Sequence, residues 1–219
     1  MSRAVLFSGG GDYADPWHPF LETSAAVADT LRGEGFSVDT VLRVDDLAER
    51  ARGADLLIVN AGGGPQAHPR DGDLRAVIEE HTGGLLALHV ASTLLPEDDL
   101  WEMRLGGRWV RGRTMHPERG PLRLQRTETA SADLPVVIDT VDEAYSWLRV
   151  ADDTRVLYRQ DHAGEPHAVV WVREGDAGRS AYSALGHDVE AYDSPAVRSL
   201  VVDLARWASA RATRPAERR

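Results

Sequence analysis

An α/β fold with a mostly parallel sheet follows from two features of the 219-residue sequence. In the first half, short apolar runs alternate with amphipathic stretches, the pattern of parallel strands joined by crossover helices. From about Leu105 onward, strand-like segments succeed one another with no long helix between them. Successive strands need antiparallel partners or hairpin turns, so this half is expected to extend the sheet or add a small lobe. No internal repeat, low-complexity block or linker interrupts the chain, and a single domain over residues 1–210 is expected.

Ala4 to Ser8 reads as a buried strand ending in the turn Ser8-Gly9-Gly10-Gly11. Phe20 to Gly33 follows as a helix, with Leu21, Ala25, Ala28 and Leu31 on one face and Gly33 and Gly35 closing it. Ser37 to Leu42 is the second strand, Asp45 to Arg52 a short helix, and Asp55 to Asn60 the third strand, running into Ala61-Gly62-Gly63-Gly64-Pro65. Asp71 to His81 gives the next helix and Gly84 to His89 the fourth strand, so the order is β-α-β-α-β-α-β. Strands are then expected at Leu122 to Thr127, Thr154 to Gln160, Ala168 to Arg173 and Ser180 to Ala184. Pro195 to Ala210 closes the domain as a helix with Leu200, Leu204 and Trp207 on one face.

Composition excludes much chemistry. The chain has no Cys, and all 25 of its basic residues are Arg. Thiolate nucleophiles, disulfides, Fe-S clusters and Cys-ligated zinc are therefore ruled out, as are a Schiff-base lysine and a lysine-containing phosphate loop. Any metal must sit on His and carboxylates. Asp and Glu number 35, leaving a net charge of -10, and the one basic cluster is Arg211 to Arg219, read as a solvated, flexible tail. Nucleic acid is not an expected partner of so acidic a chain. Met1-Ser2-Arg3 runs directly into Ala4-Val5-Leu6-Phe7, too short for a signal peptide, and no apolar run approaches the ~20 residues needed to span a bilayer. No membrane association and a cytoplasmic location are expected.

In an open parallel sheet, ligands bind beyond the carboxyl ends of the strands, where loops and helix N-termini converge. The turns carrying Gly10 and Gly63 both follow strands, and glycine there lets backbone amides approach an anion or a sugar oxygen, or serves the turn alone. The third such loop, Ala87-Leu88-His89-Val90-Ala91-Ser92, has small residues two before and two after its centre, as a sharp strand-to-helix elbow requires. His89 stands at the apex, where an imidazole would be a base, a proton shuttle or a metal ligand, or would cap the strand by bonding to backbone. His18 follows the first glycine turn, His116 follows Gly106-Gly107-Arg108-Trp109, Glu143 and Tyr145 lie two apart, and His187-Asp188 follows the last expected strand. His68, His81, His162 and His167 read as satisfied surface residues.

Taken together, the glycine turn before His18, Leu88-His89, Leu105-Gly106-Gly107-Arg108-Trp109 leading to His116-Pro117, Asp142-Glu143-Ala144-Tyr145, and Ser183-Ala184-Leu185-Gly186-His187-Asp188 ahead of a helix with Arg206-Trp207-Ala208 resemble the ThuA family, named for trehalose utilisation. The resemblance spans roughly residues 3 to 209. It implies a flavodoxin-like three-layer fold of the class I glutamine amidotransferase type, with His89 at the amidotransferase cysteine position and no glutaminase activity. It implies a role in disaccharide or keto-sugar catabolism and a pocket holding His18, His89, His116, Glu143, Tyr145 and His187, with Asp188 beside the last. Ala87 stands where the family usually has glycine.

On this basis the expected chemistry is hydrolysis or elimination at a sugar. A carbonyl at C3 acidifies the neighbouring C–H, so one group takes that proton and another protonates the departing glycosidic oxygen. His89 is the expected base and His187, oriented by Asp188 or Glu143, the expected acid, with Tyr145 or Trp109 against the sugar ring. A variant uses a divalent metal, Zn or Mn, on His18, His116, His187 and Glu143, although no H-x-H or H-x-x-x-H pair is present. The alternative is a catalytically silent module that binds a carbohydrate or a partner enzyme; a flavin is not expected. Apolar residues around Trp147-Leu148 and Trp207 suggest a homodimer.

Overall fold

A computed structural model of the chain describes residues 2–64, 66–96 and 98–210, so the arginine-rich segment Arg211 to Arg219 lies outside the described residues. The first strands and helices appear where the hydrophobic pattern places them. β1 (Arg3–Ser8), α1 (Phe20–Gly33), β2 (Ser37–Val41), α2 (Val44–Arg50), β3 (Leu56–Asn60), α3 (Asp71–Glu80) and β4 (Gly84–Leu88) alternate as expected. Every residue of β3 and β4 is buried, because helices cover both faces of a parallel sheet and leave no side to face water. In α1, Phe20, Thr23, Ser24, Val27, Ala28 and Leu31 form the buried stripe at helical spacing, so the face lies one position round from the expected one and Leu21 and Ala25 are exposed.

The second half contains α4 (Asp99–Leu105), β5 (Gly107–Arg108), β6 (Gly120–Arg126), β7 (Val137–Asp142), β8 (Arg149–Val150), β9 (Arg155–His162), β10 (Glu165–Gly175), β11 (Gly178–Ser183) and α5 (Pro195–Ser209). One nine-stranded sheet runs β2-β1-β3-β4-β11-β10-β9-β6-β7, and β5 pairs with β8 as a separate ribbon. The expected three-layer, flavodoxin-like architecture holds: α1 and α5 pack on each other on one side, and α2, α3 and α4 form a row of neighbours. The parallel sheet is extended by antiparallel strands rather than joined to a separate lobe.

Three departures from the sequence reading matter. β11, expected within the antiparallel half, pairs antiparallel with β10 but parallel with β4, through Ser180 opposite Leu85 to Ser183 opposite Leu88. The carboxyl ends of β4 and β11 therefore emerge side by side. The helix α4 was not foreseen: its seven residues are too few for a periodicity, yet the Asp98 side chain accepts a hydrogen bond from Leu100 N and Gly106 closes it at φ +82°. Trp101 on that helix is fully buried and donates from its indole to Ala91 O at 2.7 Å, tying α4 to the loop after β4. The edge strand β7, also unforeseen, follows Pro135 and alternates exposed and buried residues around Ile138.

Further corrections concern single side chains. His81 and His167 are buried rather than on the surface, and both are satisfied: His81 Nε2 lies 3.1 Å from Gly84 O, and His167 accepts from Trp147 N at 3.3 Å. Trp147, Leu148 and Trp207, the residues that suggest a homodimer, are half-buried, and the Arg179 guanidinium covers the Trp207 ring at 5.2 Å. The exposed apolar side chains include Trp17, at 71%, beside His18.

Candidate active site

The site forms where β4 and β11 end. His89 follows β4 directly and opens a short 3-10 helix, His89–Thr93, with φ at +46°. That backbone is unfavourable for a residue with a β-carbon and persists only where the surroundings over-determine it. Here they do: Tyr182 on β11 donates its hydroxyl to His89 O at 2.8 Å, and His89 Nδ1 donates to Ala184 O at 2.8 Å. Ala87 and Ala91 on either side of the elbow are wholly buried, consistent with its demand for small flanking side chains.

A carbonyl can only accept, so the Ala184 bond fixes the proton on His89 Nδ1 and leaves Nε2 as an acceptor, with the Tyr145 hydroxyl 3.2 Å away. His18 is fixed in the same way. Its Nδ1 donates to the Asp15 carboxylate at 2.8 Å, and Asp15 also accepts the amides of Trp17 and His18. The third imidazole, His187, sits on the loop after β11. Its backbone amide and that of Gly186 donate to the Asp142 carboxylate at 3.3 and 2.7 Å. Nitrogen atoms of His18, His89 and His187 all lie within 4.8 Å of one another. Ring centroids are 5.2 Å apart for His18 and His89, 5.1 Å for His18 and His187 and 5.4 Å for His89 and His187.

Glu143 is the hub of this cluster. Its Oε1 is 3.4 Å from His187 Nδ1 and 3.4 Å from His116 Nδ1, and its Oε2 is 3.5 Å from His89 Nε2. The carboxylate holds His187 above the ordinary imidazole range, whereas burial, reinforced by His18, pushes His89 well below it. Asp142 is almost wholly buried and is pushed up to about 7 by that burial, despite accepting three backbone amides.

The other expected site residues fall into two groups. Tyr145 is buried, with its hydroxyl 3.2 Å from His89 Nε2, so it supports His89 and is not free to face a sugar. Trp109 and His116 are half-buried and wrap Tyr145 with centroid distances of 4.9 and 5.4 Å, leaving them as the aromatic wall of the site. Asp188 does not orient His187; it pairs with Arg119 at 3.1 Å and accepts the amide of Glu190. Gly10 N donates to Ser8 Oγ and Gly63 N to Thr93 Oγ1, so neither amide awaits a ligand. A β-carbon on Gly63 would meet Thr93 O at 2.5 Å, which is the packing reason for glycine there, whereas one on Gly10 would meet only the exposed, movable side chain of Leu21.

Two residues escaped the sequence reading of the site. Asp15 carried a usable signal, a carboxylate three residues before His18 in a turn. Asp142 stood beside Glu143, but its grip on the Gly186–His187 backbone depends on tertiary packing.

An imidazole at the strand-exit elbow of a mixed α/β sheet is the feature around which the site is built, and the fold itself is shared with a glutaminase domain. The glutaminase domain of CTPS from Trypanosoma brucei shares this fold, at 12% identity over 95% of this chain and 94% of that one, with a TM-score of 0.53. ThuA-like proteins from Parabacteroides merdae and Bacteroides uniformis are more similar. The first is 17% identical over 95% of this chain and 90% of that one with a TM-score of 0.78; the second is 15% identical over 94% and 91% with 0.71. These likenesses carry the fold alone. None of the curated proteins matches the chain. The family model ThuA, described as trehalose utilisation, matches residues 4–208, and the chain belongs to that family. Among the described residues no helix is long and apolar enough to cross a membrane.

Proposed function

We propose that the chain is an enzyme of disaccharide or keto-sugar catabolism that carries out elimination or hydrolysis at a sugar in the cluster of His18, His89, His116, Glu143 and His187. The observation that supports this reading is the position of Glu143, within 3.5 Å of three imidazoles. The family's description, trehalose utilisation, is what suggests a sugar substrate, and the side chains suggest the division of labour.

For a 3-keto-glycoside, the base removes the proton from C2, the released electron pair forms the C1–C2 double bond, and the C1–O bond breaks as its oxygen is protonated. His187 suits the acid: the neighbouring carboxylate keeps it protonated at a higher pH than a free imidazole. The role of base passes from His89 to Glu143. At 1% exposure and with depressed basicity, His89 is shut away from a sugar carbon and is a poor proton acceptor. Glu143 and His187 then end the reaction with one proton exchanged, and their 3.4 Å contact lets it return. Trp109 and His116 form the wall against which the sugar ring lies.

In an alternative in which His187 is neutral and a ligand rather than the acid, the donor set would fit a divalent metal, Zn or Mn, on His18, His89 and His187. Asp15 and Ala184 hold two of these rings as outer partners of ligating histidines commonly do. A low proton affinity keeps His89 in the neutral form that a ligand needs. When bound, such a metal supplies polarisation of the keto-sugar's oxygens.

The test is turnover of a 3-keto-glycoside by protein purified without chelator, with elemental analysis of the same sample. Wild type should turn over, His187→Ala should lose at least about 100-fold in kcat while still binding, and His89→Ala should lose the metal. Binding without turnover in the wild type overturns the catalytic reading in favour of a silent carbohydrate-binding module.

A further inference from the structure

Beside the histidine cluster lies a second concavity, of about 210 Å³, lined by Thr93, Arg108, Trp109, Arg111 and Arg149 among others. It shares Trp109 with the site, since that ring packs on both Tyr145 and His116. It also borders the loops that leave β3 and β4: Thr93 ends the 3-10 helix after β4, and Arg111 donates to the carbonyls of Gly63 and Gly64 after β3. Those strand ends are where an open α/β sheet binds ligands.

The charges are unbalanced. Arg149 takes up Glu102 in a bidentate pair, at 2.6 and 2.5 Å, and Asp99 adds to the field on Arg149. Arg108 is buried, reaches the same Glu102 only at 3.7 Å, and spends another donor on Leu95 O at 3.1 Å. Arg111 bonds to backbone carbonyls, which bring no charge. Among the described residues, Arg108 and Arg149 thus share one carboxylate and Arg111 pairs with none, so three guanidinium groups line one cavity against a single Glu102, on a chain whose net charge is -10. A buried guanidinium that shares its counter-charge with a second arginine is incompletely compensated, and planar guanidinium forks fit carboxylate and phosphate oxygens.

We infer that this pocket binds an anionic group carried by the substrate, and hence that the preferred sugar is an acidic one. The inference rests on the sugar-directed reading of the neighbouring cluster. The anion would sit on Arg108 and Arg111, with the sugar ring against Trp109 and its reacting carbons toward Glu143 and His187.

Calorimetric titration tests this without turnover, using D-glucuronate, D-glucose and inorganic phosphate as probes at low and at about 0.5 M salt. Glucuronate should bind at least about tenfold tighter than glucose, the preference should shrink at high salt, and Arg111→Glu should abolish it. Arg111 is exposed, so this variant is expected to fold, and thermal unfolding checks that it does. His187→Ala should keep the preference, which separates this pocket from the catalytic reading. Phosphate binding that Arg111→Glu removes, even without a preference for glucuronate, supports the anion pocket and assigns its occupant to a phosphorylated ligand. Equal binding of the two sugars without phosphate binding, a preference that survives Arg111→Glu, or no binding of any probe overturns the inference.

Discussion

Asp142 shows how one buried side chain can position a site without touching substrate. Its carboxyl accepts the amides of Glu143, Gly186 and His187, so the residue before the hub also fixes the loop carrying the third imidazole. Because its proton affinity rises on folding, from an ordinary 3.8 to about 7, the folded state binds the proton more tightly than the unfolded state. That contribution is full below pH 3.8 and is lost as pH rises through about 7. His187, also raised, acts in the same direction from pH 6.5 upward. His89, lowered, acts oppositely: its contribution is present above pH 6.5 and lost as pH falls below it. Asp142→Asn should therefore flatten the decline of stability between pH 4 and about 7 by a few kcal/mol, read as thermal midpoint against pH beside wild type. An unchanged slope would mean that Asp142 does not titrate in that window. Residue by residue, His18, His89 and His187 were legible because each follows a turn or ends an expected strand, whereas His116 and Glu143 were placed in the pocket by the resemblance to the ThuA family. The burial of Tyr145 and the turning away of Asp188 were not, because they depend on tertiary packing of the rings and on Arg119.

Elements differ in how openly they announce themselves. β3 and β4 are continuous apolar runs between turn residues, so local pattern sufficed there; for α1 it gave the helix, but the buried face uses Thr23 and Ser24 and leaves Leu21 and Ala25 exposed. β11 was recognised as a strand, but its partners were not, since an apolar segment carries no record of direction. Its parallel pairing with β4 places Ala184 O at His89 Nδ1 and makes the site possible. The loops between elements are held by close approach. Gly63→Ala would set a β-carbon 2.5 Å from Thr93 O, a backbone atom that cannot swing aside. A loss of about 1–3 kcal/mol is expected, or roughly 2–10 °C in Tm, with the Gly63–Thr93 hydrogen bond the first casualty. A Tm within a degree of wild type would show that the loop after β3 yields easily.

Across the whole molecule, the parallel and antiparallel halves meet at β4 and β11, and the histidines gather at that seam. The fold class was legible in the alternation of its first half and the helix-poor texture of its second. The site's internal roles were legible only in part, because burial sets them: the apex imidazole became a neutral, enclosed group, and the carboxylate two residues before Tyr145 became the hub. Glu143 is therefore where the account stands or falls. The most direct measurement is kcat and Kd for a 3-keto-glycoside with wild type and Glu143→Gln, an isosteric change that removes the charge. Glu143→Gln is expected to lower kcat at least about 100-fold with Kd within about threefold of wild type. Unchanged turnover in Glu143→Gln would contradict it.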